Sequence, residues 1–149
     1  MNKAFVREPD QTVDYCPRCG SKGEQVGSET LKSYLSDEQR RMIAEPANFC
    51  PSPQCSVVYF DTFERAISTD DVQRPIYPKD PTAPLCPCLG LTREDIERDI
   101  QEGVKTRVKA AIEKAKSPDA RCRKLAANGR PCIAYVQRYY MRCLEDREY

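Results

Sequence analysis

Nine cysteines and no histidine constrain this chain more than any other feature, because eight of the nine fall into four close pairs. The pairs are Cys16/Cys19, Cys50/Cys55, Cys86/Cys88 and Cys122/Cys132, with Cys143 left over. A close pair supplies two thiolates from one rigid turn, and two pairs complete a four-thiolate metal site. Eight ligands therefore point to two sites. The missing histidine excludes mixed Cys/His zinc fingers, Rieske clusters, histidine-dependent triads and most catalytic zinc sites.

The alternative use of many cysteines is a secreted disulfide scaffold. An odd cysteine count argues against it, as does an N-terminal stretch, MNKAFVREPDQ, without the apolar core of a signal peptide. No stretch approaches the ~20 apolar residues of a membrane span. The expectation is a cytoplasmic protein without membrane insertion, whose thiols stay reduced and available to metal.

At 149 residues the chain has room for two small lobes, each short of the core that would make it stable alone, so bound metal is expected to supply what packing does not. The formal charge is only +1, but it is unevenly spread: residues 1–90 hold 10 basic and 13 acidic side chains, residues 91–149 hold 14 and 10. The fold class expected is α+β, a small zinc-binding α+β lobe over 1–67 followed by a small helical lobe over 85–149. Between them, 68–84 carries four prolines and reads as a connection poor in regular structure.

In the first lobe, Cys16-Pro-Arg-Cys-Gly20 has the form of a zinc knuckle, with Gly20 able to take the left-handed conformation that turns amides toward the sulfurs. Residues 24–26 are predicted as a short strand. Ser36 with Gln39 predicts a capping box and a helix to about Ala44. Cys50-Pro-Ser-Pro-Gln-Cys55 is the second ligand turn, and Ser56–Phe60 is predicted as a strand leaving it. In the second lobe, Thr92 with Asp95 opens a helix ending at Gly103, with Leu91 stapled onto Ile96. Thr106 opens another, stopped by Ser117-Pro118, and Pro131 suits the first turn of a third that would include Cys132. Cys143 falls on the apolar stripe of that helix, as a core thiol.

The spacing C-x2-C with C-x4-C at Cys16, Cys19, Cys50 and Cys55 suits structural zinc, the alternatives being a rubredoxin-like iron or unligated thiols. Such a closed site has no open position and does no chemistry of its own. The second quartet, Cys86, Cys88, Cys122 and Cys132, is spaced more widely. C-x-C is unusual for structural zinc and fits the broader frame of a [2Fe-2S] cluster, whose negative charge Arg121, Arg123, Lys124 and Arg130 would offset. On spacing alone, [2Fe-2S] and a second zinc remain equally open.

At these residues a resemblance becomes specific. Cys86-x-Cys88 followed by Leu-Gly-Leu-Thr-Arg-Glu-Asp-Ile96, a helical stretch and Cys122-x9-Cys132 resembles the [2Fe-2S] module of the bacterioferritin-associated ferredoxin type, which usually ends in C-x2-C. The x9 interval, the CPxCG knuckle, the C-x4-C turn and the VVYF strand together resemble the N-terminal domain of CopZ copper chaperones, over most of residues 14–144. The resemblance implies zinc at Cys16, Cys19, Cys50 and Cys55 and a [2Fe-2S] cluster at Cys86, Cys88, Cys122 and Cys132. In such zinc sites an aspartate can replace a thiolate, Asp14 or Asp61 being the candidates. The M-x-C-x-x-C copper loop of the full-length chaperones does not occur here, so any copper role would need a separate chaperone.

The function expected is one-electron transfer linked to copper homeostasis, with reduction of Cu(II) to Cu(I) for a separate chaperone and a protein redox or metal-trafficking partner. The competing classes are a two-zinc binding module and an iron-sulfur delivery or storage protein. Nothing in the sequence matches an RNA- or DNA-recognition pattern, a phosphate loop or a nucleophile with its base, so neither nucleic acid nor conventional catalysis is expected.

Overall fold

The computed structural model describes residues 14–147, apart from the side chains of Arg123 and Arg147. The leader read for a signal peptide and the Arg123 contribution to the basic cluster lie outside the described residues. The element order is β1 (Glu24–Val26), α1 (Ser28–Tyr34), α2 (Asp37–Arg41), β2 (Ala47–Phe49), β3 (Val57–Phe60), β4 (Ala66–Ser68), α3 (Arg93–Glu102), α4 (Thr106–Lys116), α5 (Cys122–Leu125) and α6 (Ile133–Arg147). This is the α+β class expected, with all four strands and two short helices in the first half and only helices after.

The four strands form an antiparallel sheet in sequence order, with Gln25 opposite Asn48, Phe49 opposite Tyr59 and Tyr59 opposite Ile67. Its centre is the Val-Val-Tyr-Phe run, buried at all four positions, as β-branched and aromatic residues flanked on both sides should be. Strands β2 and β4 and helices α1 and α5 are additions to the sequence reading. Each is three to seven residues long and none has a side-chain N-cap, so pairing and packing hold them in place of a local signal. Helix α1 covers the sheet through Leu31 and Tyr34.

The capping signals read from the sequence appear as capping boxes at Ser36/Gln39 and Thr92/Asp95, and Gly103 closes α3 at φ 71°. Helix α2 ends at Arg41, three residues short of the expected Ala44. Cys132 is not inside α6 but directly before it. Its carbonyl accepts the first helical hydrogen bond, from the Val136 amide at 3.0 Å, because the chain is still turning at Pro131. Helices α3, α4 and α6 enclose a second core around Ile96, Ala111 and Val136, with Leu91 packed beside Ile96 as the staple requires. Cys143 is half-buried at the edge of that core.

One acid organises this helical half. Asp99 of α3 is fully buried and accepts from the Val108 amide (2.9 Å) and the Arg107 guanidinium (2.8 Å). It thus caps α4 across space, where Lys105 at the cap position cannot. Among the described residues no helix is long and apolar enough to cross a membrane.

The proline-rich stretch is well packed. The Gln73 amide donates to the Tyr34 carbonyl (3.1 Å), the Arg74 guanidinium lies over the Tyr34 ring at 4.3 Å, and Ile76 is buried in the core of the sheet lobe. Prolines that fix φ lower the entropy cost of holding such a path.

Candidate metal centres

The first site is assembled from two tight turns. In the knuckle, the Cys16 amide donates to the Ser21 carbonyl (2.8 Å) and the Gly20 amide to the Cys16 carbonyl (2.9 Å). Gly20 takes the left-handed φ of 77° that the sequence called for. The turn is closed by the Tyr15–Lys22 bridge. Gly23, next in line, must be a glycine: a Cβ there would lie 2.6 Å from the Phe60 ring and 2.7 Å from Asn48 Cβ. Gly23→Ala is expected to destabilise the protein by about 1–3 kcal/mol through overpacking, read as a lower midpoint in urea at unchanged slope.

The second turn leaves β2 and enters β3, so the sheet itself carries Cys50 and Cys55. The Cys50 amide is held by the Val58 carbonyl at 2.9 Å. Together the turns bring Cys16, Cys19, Cys50 and Cys55 into one group whose sulfurs all lie within 4.8 Å of one another. Cys16 and Cys55 Sγ are 3.8 Å apart, Cys19 and Cys50 Sγ 3.5 Å. Four sulfurs about 2.3 Å from a tetrahedral zinc stand about 3.8 Å from each other, so the quartet fits that ion. Three of the cysteines are buried, within a shell that includes Val57 and Phe60, and Cys19 faces solvent.

The electrostatics fit a thiolate site. The adjacent Ser21 hydroxyl, 3.3 Å from Cys19 Sγ, and the Ser21 amide bring the Cys19 thiol down to about 6 against the opposing effect of burial. Burial pushes Cys50 up to about 12, although the Ser52 amide and Lys79 favour its thiolate. Loading such a site releases protons from the buried thiols, so metal affinity rises with pH.

Lys79, from the connecting stretch, is a site residue that cysteine spacing could not reveal. Its Nζ donates to the Ser52 (2.7 Å) and Cys55 (3.0 Å) carbonyls and so pins the second ligand turn. Neither aspartate candidate belongs to the sulfur group. Asp14 accepts from the Asn48 side chain at 3.0 Å. The Asp61 carboxylate is fully engaged by the Ala44, Phe63 and Arg65 amides and by Arg65 Nε, so it organises the β3–β4 turn.

Burial alone would raise the Asp61 carboxyl, but those donors outweigh it and hold the group below its usual range. A depressed folded-state pKa contributes stability that is present above the unfolded pKa and is lost as pH falls through the folded value. Asp61→Asn is therefore expected to cost about 1–3 kcal/mol at neutral pH, with the gap to the wild type closing as the pH is lowered. Urea melts of the two proteins across that range measure it. The difference between the curves isolates Asp61, because acid protonates the thiolates in both.

The second quartet is arranged differently. Cys86 and Cys88 stand on a hairpin closed by the Cys86–Leu91 bridge, with Gly90 at φ 70°. Cys122 opens α5 and Cys132 precedes α6. The four thiols act on one another electrostatically: Cys86 is tied most strongly to Cys132, and Cys122 feels Cys88, Cys86 and Cys132. The Cys132 thiol, together with the Leu89 and Cys88 amides and the charge of Lys114, brings Cys86 down to about 6 against the effect of burial. Its partner Cys132 is pushed up by Cys86 and by burial. The Arg121 amide donates to Cys88 Sγ at 3.4 Å. Cys86 and Cys132 are deeply buried, Cys122 is half-buried, and Cys88 lines a surface groove with Lys114 and Arg121.

The nine residues between Cys122 and Cys132 have a structural task. Tyr34 of α1 donates its hydroxyl to the Leu125 carbonyl (2.5 Å), and the buried Tyr59 of β3 donates to the Ala127 carbonyl (2.6 Å). Ala127 joins the core of the sheet lobe, and Asn128 reaches Glu24 at 3.4 Å. The long interval lets the helical lobe's ligand segment dock on the sheet.

Comparison with curated proteins gives no match. Residues 13–73 match the family described as a zinc binding domain, zf_CopZ. Among solved structures the chain is similar to the X-ray structure of the Archaeoglobus fulgidus CopZ N-terminal domain. The TM-score is 0.70 at 20% identity, over 84% of this chain and 96% of that one. Residues 13–73 thus carry a zinc-binding domain of the CopZ type, and the chain around them has the fold of a CopZ N-terminal domain.

Proposed function

We propose that this chain is a metal-binding redox protein of copper trafficking, in which zinc held by Cys16, Cys19, Cys50 and Cys55 folds the sheet lobe (1–67) and the helical lobe (85–149) binds a [2Fe-2S] cluster through Cys86, Cys88, Cys122 and Cys132. The observation that carries the second assignment is that its four thiols act on one another without closing on one point as the first quartet does. A [2Fe-2S] cluster takes two thiolates at each iron, whereas a single zinc needs four sulfurs around one point. Among the described residues only the first quartet meets that second condition.

When bound, such a cluster supplies a one-electron couple. The residues around it would tune that couple, since amides directed at Cys86 and Cys88 and the positive charge of Lys114 favour the more negative reduced state. The half-buried Cys88/Cys122 edge beside Lys114 and Arg121 is the side from which an electron would leave. With Cu(II) as acceptor the balance is one electron from one reduced cluster to give one Cu(I), which a separate chaperone in the cytoplasm would receive.

The test is the visible absorption spectrum of anaerobically purified protein together with iron, sulfide and zinc analysis. The expected composition is two irons, two sulfides and one zinc per chain, with bleaching by dithionite and one equivalent of cuprous ion formed when Cu(II) is added. A colourless protein with two zincs would overturn the cluster assignment in favour of a two-zinc binding module. A reduced cluster that Cu(II) leaves untouched would end the copper-reductase role alone.

A further inference from the structure

The positive charge closest to Cys122 is not the most organised on the molecule. A cleft of about 390 Å³ runs between the two lobes, and Arg93, Arg130, Arg138 and Arg142 all line it. They come from three places: the start of α3, the loop before α6, and successive turns of α6 at 138 and 142. Glu24 is the one carboxylate in the lining.

Ion pairs do not neutralise these guanidiniums, and one of them is held rigidly. None of the ion pairs among the described residues involves Arg93, Arg130, Arg138 or Arg142. Arg93 is held in place by hydrogen bonds to the Tyr77 hydroxyl (3.2 and 3.3 Å) and by lying over the Tyr77 and Tyr139 rings at 5.2 and 4.7 Å. Tyr77 in turn packs edge-on against Tyr135. The nearby wall is built of prolines and tyrosine rings, stiff groups that lose little entropy on contact. Unpaired arginine forks such as those of Arg138 and Arg142 can match carboxylates bidentately.

We propose that this cleft docks an acidic, extended segment of a partner protein. Two observations favour a protein segment over a free small anion. The net charge of the whole chain is only +1, so attraction for an acidic partner has to be concentrated locally, and here it is. The cleft also touches both ligand sets through neighbouring backbone: Pro51 follows Cys50, and Pro131 precedes Cys132. A partner anchored there is brought beside both metal centres at once, which suits a protein that exchanges electrons or metal with this one. The docking stands whether or not the second quartet holds iron, so a failed binding test leaves the metal assignment untouched, and metal analysis reads that separately.

The test uses the purified metal-loaded full chain and a fluorescein-labelled octaglutamate peptide followed by anisotropy. Saturable binding that weakens with salt is expected, reduced about tenfold or more by the double change Arg138→Glu/Arg142→Glu. The pair Lys109→Glu/Lys116→Glu, exposed on α4 and outside the cleft, should alter it less than about twofold. Both α6 arginines are exposed and unpaired, and unchanged zinc content and circular dichroism verify that the variants fold. Citrate and pyrophosphate serve as competitors, and they should displace the peptide only as far as sodium chloride of equal ionic strength does. Equal losses in the two double variants, or no loss in the first, would overturn the proposal. Displacement by micromolar citrate or pyrophosphate would overturn it as well, and assign the cleft to a small anion.

Discussion

Cys50→Ser is expected to unfold the sheet lobe. Cys50 is completely buried where β2 runs into the second ligand turn, and its sulfur lies 3.5 Å from that of Cys19. Structural zinc contributes an apparent ~10–16 kcal/mol in small four-ligand sites, whereas a whole domain is stable by only ~5–15 kcal/mol. Serine is a poor zinc ligand beside thiolates and leaves a hydroxyl among apolar neighbours. The variant should lose stoichiometric zinc, and with it the near-ultraviolet dichroism of Tyr34 and Tyr59. A strong chelator added to the wild type should reproduce the effect. The damage should also reach the second lobe, because those two tyrosines hold the carbonyls of Leu125 and Ala127. Full zinc content with an intact sheet in the variant would show that the lobe does not depend on this ligand.

Cys132→Ser should remove the visible absorption while leaving one zinc in place. Cys132 is buried in the helical core beside Cys86, whose thiol is brought down to about 6 chiefly by Cys132. The variant keeps the packing of α6 nearly unchanged, so loss of iron and sulfide without loss of zinc or helix is the expected outcome. Zinc analysis and far-ultraviolet dichroism of the same sample check both halves. A variant that still holds two irons and two sulfides would exclude Cys132 as a ligand. One that lost zinc from the first quartet would show that the two centres are not separable.

The two variants differ in reach because the lobes depend on each other unequally. The helical lobe has three mutually packed helices, capped by their own sequence at Thr92 and Gly103 and across space by Asp99. The sheet lobe has four short strands and two short helices around a metal. Strands of three or four residues are marginal alone, and here the second ligand turn sets where β2 ends and β3 begins.

Capping boxes, the left-handed glycines and the Val-Val-Tyr-Phe strand were legible because each is encoded within a few residues. Strands β2 and β4 were not, since Ala-Asn-Phe and Ala-Ile-Ser have no period of their own and become strands only when β3 lies alongside. Helix α1 does carry Leu31, Tyr34 and Leu35 at helical spacing, a signal that the lack of a side-chain cap and a length of seven residues obscured. Asp61 was read as a possible ligand because an acid near cysteines invites that reading. Its engagement by two amides of the β3–β4 turn and by the distant Ala44 amide is visible only once the chain is folded.

The inventory of donors was determined by sequence alone: eight thiols in four pairs, three of the pairs each on one turn, and no histidine to compete. That follows from the local character of a turn, in which residues two to five apart must be neighbours whatever the rest of the chain does. Tertiary structure decided which thiols meet, four around one point in the first quartet and a looser grouping in the second. It also decided that Lys79 clamps a ligand turn, that the x9 interval docks on Tyr34 and Tyr59, and that four arginines share a cleft. Each of these joins residues distant in the chain, and such contacts exist only after burial of the two cores has offset the entropy of bringing them together.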